Sequence, residues 1–264
     1  MNKLTKVVLI FMGIFSMILA AACQDQDKAA AERIEESLKE KYGEEFTVEK
    51  IGGGYGTLTT NTLKAIVSPK TAPEKKFKVE VTKDLDKVWD DYMNVVMSEK
   101  MDVKALEMAK AVFGEDVWVK SDISSAGISF PDEKLKEKNM KLTEYIHQSK
   151  SDVYVMLEIF TKRDREVDKN IESQNIDQFA DDLLFMGVQN AGVRVYYIHQ
   201  DIFRNIENEY RLAKSDSDLT SVNNYFEVEG RSYTNSFILI EDSKKEQSLE
   251  QIKVNLEENE SGGN

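Results

Sequence analysis

The chain predicts an α+β fold: antiparallel sheets with packed helices, arranged as two small modules. Three observations carry this expectation. Lys76-Phe77-Lys78-Val79-Glu80-Val81 alternates polar and apolar residues strictly, as a strand with one buried face does. Ile34, Leu38 and Tyr42 recur every fourth residue, the stripe of an amphipathic helix. Segments of the two kinds follow one another without the regular strand-helix alternation of a parallel sheet. With 41% hydrophobic and 31% charged residues, the chain has enough apolar material for a core and reads as globular.

Taken in order, the first helix begins near Ala29-Ala30-Ala31, and Gly43 is its natural stop. Strands follow at Phe46 to Ile51 and Thr62 to Ser68, both rich in β-branched and apolar residues, and then at the alternating run ending in Val81. Gly52-Gly53-Gly54-Tyr55-Gly56 lies between two of these strands. Its spacing is not G-x-G-x-x-G and no helix follows, so it reads as a turn or bulge rather than a phosphate cradle. Trp89 and Tyr92 close the first module as core residues.

A second helix is expected from Met93 to Val112. Tyr42-Gly43-Glu44-Glu45-Phe46-Thr47-Val48 can be laid on Phe113-Gly114-Glu115-Asp116-Val117-Trp118-Val119, each run leaving a helix and opening a strand. This is either a repeat of modules or the turn chemistry common to helix ends. Asp152 to Thr161 reads as a strand. Ile176, Phe179, Leu183 and Met186 mark a helix ending near Gly192, ahead of a strand from Val193 to His199. Ile202, Ile206 and Tyr210 mark one more helix. Tyr225 to Val228 and Tyr233 to Ile240, separated by Gly230-Arg231, read as a hairpin. The tail from Ser243 carries a weak helical stripe in Leu249, Ile252 and Leu256, then passes into Glu, Asn, Ser and Gly. The expected divisions are therefore 1–22, a leader; 23–92, a first module; 93–242, a second; and 243–264, a partly disordered acidic tail.

The leader carries the strongest functional signal. Lys3 and Lys6 precede 16 uncharged residues from Val7 to Ala22, the order and length of a secretory signal. Leu19-Ala20-Ala21-Ala22-Cys23 resembles the lipobox of bacterial lipoproteins, in which the cysteine receives a diacylglyceryl thioether before cleavage. That family favours a larger aliphatic residue where this chain has Ala20. The resemblance covers about the first 24 residues. It implies lipid attachment at Cys23 and a position on the extracytoplasmic face of a bacterial cell membrane. Two other readings compete. A spanning helix needs about 20 apolar residues, and the run reaches that length only with Cys23 and Gln24 included. An ordinary signal peptide would leave an unpaired thiol in an oxidising compartment. Cys23 is the only cysteine of the chain, so no disulfide and no thiolate metal site can form.

Charge bears on partners. The chain carries −13, and removal of Lys3 and Lys6 takes the mature form to −15. Such a surface repels nucleic acid and anionic bilayers, and only seven of the 35 basic residues are arginine. The expected partners are a membrane, through the lipid, and an envelope protein or peptide; no nucleic acid is expected.

The helix, strand, strand, strand order of residues 31–83 is similar to small cystatin-like or PepSY modules of exported bacterial proteins. Cystatins inhibit through a Gln-x-Val-x-Gly loop, and no such run exists here, so no inhibitory residue is implied. The lipobox leader on a Lys-rich, acidic body is similar to uncharacterised Gram-positive envelope lipoproteins.

The remaining motifs point to no chemistry. His147 and His199 each stand in Tyr-Ile-His-Gln, and neither begins H-E-x-x-H. The repeated tetrapeptide raises the idea of two equivalent sheet edges. No G-x-S-x-G elbow is present. Asp216-Ser217-Asp218-Leu219-Thr220, with Glu227 at the twelfth place, echoes a calcium loop, but Ser221 stands where that loop needs Gly. No catalytic residue, cofactor or metal ligand is therefore assigned. The sequence favours a non-catalytic binding or interaction module; the alternative is an envelope hydrolase using paired carboxylates.

Overall fold

The computed structural model describes residues 26–52, 61–125, 130–149, 152–163, 167–215, 222–227 and 231–260. Cys23 and the leader expected before it, Gly53 to Gly56, and Asp216 to Ser221 lie outside the described residues. The fold is α+β, with a four-stranded and a five-stranded sheet, in two compact units. One unit comprises the chain up to Met93 together with Glu133–Lys138; the other comprises Asn94–Asp132 and Asn139 onward. Among the described residues, no helix is long and apolar enough to cross a membrane.

In the first unit, helix α1 (26–42) buries Ala30, Ile34, Leu38 and Tyr42. Their four-residue spacing places them on one face. Gly43 ends the helix at φ +71°, its N–H donating to Lys39 O, a conformation that costs glycine little. Strands β1 (Phe46–Ile51), β2 (Thr62–Pro69), β3 (Phe77–Thr82) and β4 (Val88–Asp90) then form an antiparallel meander in chain order. Phe77, Val79 and Val81 are buried, as their alternation predicts. The rings of Tyr42, Phe46, Phe77 and Tyr92 meet at 4.9–6.1 Å between centroids. Tyr92 is core, whereas Trp89 is only half-buried.

Helix α2 (Tyr92–Phe113) opens at the end of the first unit and runs into the second. There Met97, Met101, Ala105 and Ala109 repeat every fourth residue and are fully buried. Gly114 closes this helix at φ +96°, and β5 (Val117–Ser125) follows. The Gly43 and Gly114 segments thus share the same helix stop. The sheets they enter differ. The second is mixed, in the order β5-β6-β7-β8-β9, with β6 (Val153–Lys162) parallel to β7 (Ala191–Ile198) and every other pairing antiparallel. Helix α4 (Lys169–Phe185) makes the crossover that a parallel pair requires. Asp168 caps it, accepting from the N–H groups of Asn170 and Ile171.

Four expectations are corrected. Helix α4 ends at Phe185, followed by Gly187 at φ +92°, and Gly192 instead lies within β7. A C-terminal stop needs left-handed backbone, which Gly187 has. The stretch around Ile202, Ile206 and Tyr210 forms two helices, α5 (Gln200–Phe203) and α6 (Ile206–Ser215). Residues Tyr225 to Glu227 belong to helix α7 (Val222–Glu227), not to a strand, because Val222, Tyr225 and Phe226 are buried against Phe160 and Tyr196. The hairpin involving β8 (Ser232–Glu241) is made with β9 (Lys244–Lys245) through Asp242 and Ser243, both at positive φ (49° and 63°), the handedness that two-residue turns favour.

Beyond that turn the chain is built into the second unit. Helix α8 (Leu249–Glu260) buries Ile252 and Leu256 completely. Thr234 Oγ1 donates to Leu256 O at 2.9 Å and Ser236 Oγ to Ile252 O at 3.2 Å, which satisfies two buried hydroxyls of β8. Helices α4 and α8 cover this face of the sheet, and α5, α6 and α7 pack on the other.

Candidate functional site

The described residues cover only part of the face of the five-stranded sheet that carries α5, α6 and α7, and the register shows where that cover stops. Side chains on one face share a row where strands pair residue to residue. The row Trp118, Phe160, Tyr196, Asn235 is sealed. Phe160 stacks on Tyr196 at 4.7 Å and meets Phe226 of α7 at 4.7 Å. The next row is Lys120, Glu158, Arg194, Phe237, and the one after it Asp122, Met156, Gly192, Leu239. In that last row Asp122 is exposed, Met156 is 43% exposed and Leu239 is half-buried. An uncovered thioether on an inner strand is unusual for a sheet face.

Gly192 shapes this open half. A Cβ there would lie 2.8 Å from Tyr154 Oη and 3.0 Å from Met156 Sδ. The missing side chain lets Tyr154 and Met156 lie across the strand, so the glycine serves close packing rather than a turn. The result is a shelf of Tyr154, Met156, Leu239 and Phe237.

The middle row is charged, and its members are held. Burial pushes the Glu158 carboxyl above its ordinary value, partly offset by Tyr210 of α6, whose hydroxyl donates to Oε2 at 2.7 Å. Burial, then the Glu158 charge, drives the Tyr210 phenol upward, so it remains a donor. Arg194 Nη1 donates to Asn223 Oδ1 at 2.7 Å and Asn235 Oδ1 at 3.1 Å, and its guanidinium lies over Phe237 at 5.3 Å. Lys120 pairs with Asp102 of α2.

Two other buried carboxylates are closed by donors of the fold. Asp90 accepts from Tyr42 Oη and Lys41 Nζ, each at 2.7 Å. Glu172 accepts from Arg163 Nη2 at 2.6 Å and from Tyr197 Oη at 3.1 Å. They stabilise local structure and present no free acid. Among the described residues, no group of three His, Cys, Asp or Glu side chains is placed to hold a metal ion.

Two of the edge strands have backbone N–H groups taken up by helices. Outward-facing N–H groups of an edge strand invite another strand. Here Ser121 N donates to Asp102 Oδ1 at 2.6 Å and Ile123 N to Ser98 Oγ at 2.8 Å, both acceptors on α2. In the first unit, Val48 N donates to Glu35 Oε1 of α1 at 3.1 Å. At the other end of the five-stranded sheet, β9 is two residues long.

The two histidines are not brought together as equivalents. His147 is exposed on helix α3 (Leu142–Ser149), after buried Tyr145 and Ile146. His199 precedes α5, with its ring 3.7 Å from that of Tyr233. Identical tetrapeptides occupy a helix and a strand end, so the idea of two equivalent sheet edges fails. The first six places of the supposed calcium loop, Asp216 to Ser221, lie outside the described residues, and the last six form α7, which ends at Glu227.

The shelf residues were not singled out from sequence. Their one signal is that Tyr154, Met156 and Phe160, three of the positions that β6 turns to this face on either side of Glu158, are apolar where a half-exposed strand would carry polar groups.

No family model and no curated protein matches the chain. Among solved structures, it is similar to the crystal structure of a DUF5037 family protein from Ruminococcus gnavus ATCC 29149, with a TM-score of 0.50 and 20% identity, covering 86% of this chain and 98% of that one. The likeness is one of fold.

Proposed function

We infer that this is a non-catalytic binding protein, anchored by lipid on Cys23 at the extracytoplasmic face of a bacterial cell membrane. The open half of the five-stranded sheet carries this reading, since an apolar shelf on an otherwise finished fold is the usual form of an interaction surface. Along β5, the edge nearest Met156, helix α2 accepts from the N–H groups of Ser121 and Ile123, which supports a contact made by the face rather than by strand addition there. Anchoring supports it too, because tethering raises the effective concentration of a weak binder.

The test is a photo-crosslinking amino acid placed at Met156 in the full chain, in its own cells, with Val103 of α2 as a surface control. A discrete adduct from position 156 and none from 103 is the expected result. No adduct from 156, or the same products from both positions, would defeat the binding reading.

One observation favours the hydrolase reading. Asp122 and Glu158 are diagonal neighbours on the same sheet face, and burial raises the Glu158 acid, as a general acid requires. Glu158→Gln should leave a binder's function intact and abolish a hydrolase's.

A further inference from the structure

We propose that the open shelf receives a basic segment of a partner protein, an apolar side chain seating on Met156 and Leu239 between flanking Lys or Arg residues. The inference rests on the binding reading above and specifies the chemistry of its partner. The shelf is bounded by carboxylates on both sides. Asp122 stands across from Met156 on β5. Glu241 of β8 lies close enough to Tyr154 to raise its phenol, second to the effect of burial. Both acids are exposed, and neither carboxylate has a hydrogen bond or an ion pair within 4 Å among the described residues, although the exposed Lys244 of β9 stands across from Glu241. The cations of the adjoining row, by contrast, are engaged: Lys120 by Asp102, and Arg194 by Asn223, Asn235 and the Phe237 ring. A basic side chain therefore finds an unpaired carboxylate in Asp122 at one rim and, at the other, Glu241, which it would share with Lys244. The other occupants fit less well. A second copy of a chain carrying −13 brings its own negative field, and an anionic lipid surface is repelled in the same way.

Gly192 gives the proposal a structural handle. The atoms nearest to an added methyl at this position are the far ends of Tyr154 and Met156. Gly192→Ala therefore displaces the shelf without requiring backbone to move.

The experiment measures fluorescence anisotropy of a labelled short peptide of alternating Lys and Leu against the full chain, with a Glu and Leu counterpart. The variants are Met156→Lys, Gly192→Ala and, as a matched charge change elsewhere, Val103→Lys, which is 73% exposed on α2. Thermal melts confirm that each variant folds. The expected result is binding of the Lys–Leu peptide only, weakened about tenfold or more by Met156→Lys, less by Gly192→Ala, and unaffected by Val103→Lys. Absence of Lys–Leu binding, or equal loss in Met156→Lys and Val103→Lys, overturns the proposal. Preferential binding of the Glu–Leu peptide, lost in Met156→Lys, overturns the basic partner while leaving the binding reading standing. A parent dimer that Met156→Lys dissociates also overturns it, by showing a second copy on the shelf. The binding reading falls separately, on the crosslink at 156.

Discussion

Asp102 of α2 grips Ser121 of β5 twice, one carboxylate oxygen accepting from the backbone N at 2.6 Å and from Oγ at 2.7 Å. The same carboxylate pairs with Lys120, so one helical side chain covers the middle of the outer edge of β5. Asp102→Ala should destabilise the protein by about 2–3 kcal/mol, because a charge-assisted acceptor is lost and a partly buried donor is left without it. It should also bring concentration-dependent self-association through the freed edge. Asp102→Asn, which retains an acceptor, should lose less. Denaturant melts and size-exclusion chromatography over a range of concentrations check both effects.

The α7 helix can be tested through its core residue. Phe226 is fully buried beneath Phe160 and Tyr196, whereas Phe185 is 95% exposed. Phe226→Ala should cost about 3–5 kcal/mol by leaving a cavity, and Phe185→Ala should leave stability almost unchanged. Chemical denaturation of both variants measures the contrast.

Glu158 gives a pH dependence of definite sign. Its carboxyl is raised in the folded protein, so ionisation opposes folding. The protein carries no cost from this group below the unfolded pKa, and the cost grows as pH rises through the folded value. Glu158→Gln, which can still accept from Tyr210, should therefore match or exceed the parent in Tm at neutral pH. The difference should vanish in acid, below the ordinary glutamate range. A Tm series against pH for parent and variant is the measurement, and a variant less stable at neutral pH would contradict the assignment.

The glycines divide by mechanism. Gly43, Gly114 and Gly187 hold positive φ with open space where a Cβ would stand, so alanine at each should cost about 1 kcal/mol through backbone strain alone. Gly192 has no such φ and is crowded by Tyr154 and Met156. Gly192→Ala should change the environment of Tyr154, read by ultraviolet difference spectroscopy, whereas the other three should not.

Anchoring is tested at one residue. Cys23→Ala should abolish incorporation of a labelled fatty acid and leave the protein uncleaved or shed. Equal label in parent and variant would remove the lipid anchor from the proposed function.

What the sequence determined by itself is what short stretches of chain decide. The Ile34, Leu38, Tyr42 stripe and the glycines that stop α1 and α2 act within a few turns of helix, and the alternation from Phe77 to Val81 acts within one strand. These patterns state which face is apolar and where a helix must end, so the α+β class was legible without any long-range contact. Tertiary structure decided the rest. Tyr225 and Phe226 have the β preference of aromatic residues, but burial against Phe160 and Tyr196 outweighs that local preference and holds them in a helix. The shelf lay further out of reach, because Asp122, Met156, Gly192 and Leu239 come from four strands spread over more than 100 residues of chain. A shift of one residue in any pairing turns that strand's side chains to the opposite face, so the row exists only once the register is fixed by packing that no local segment contains.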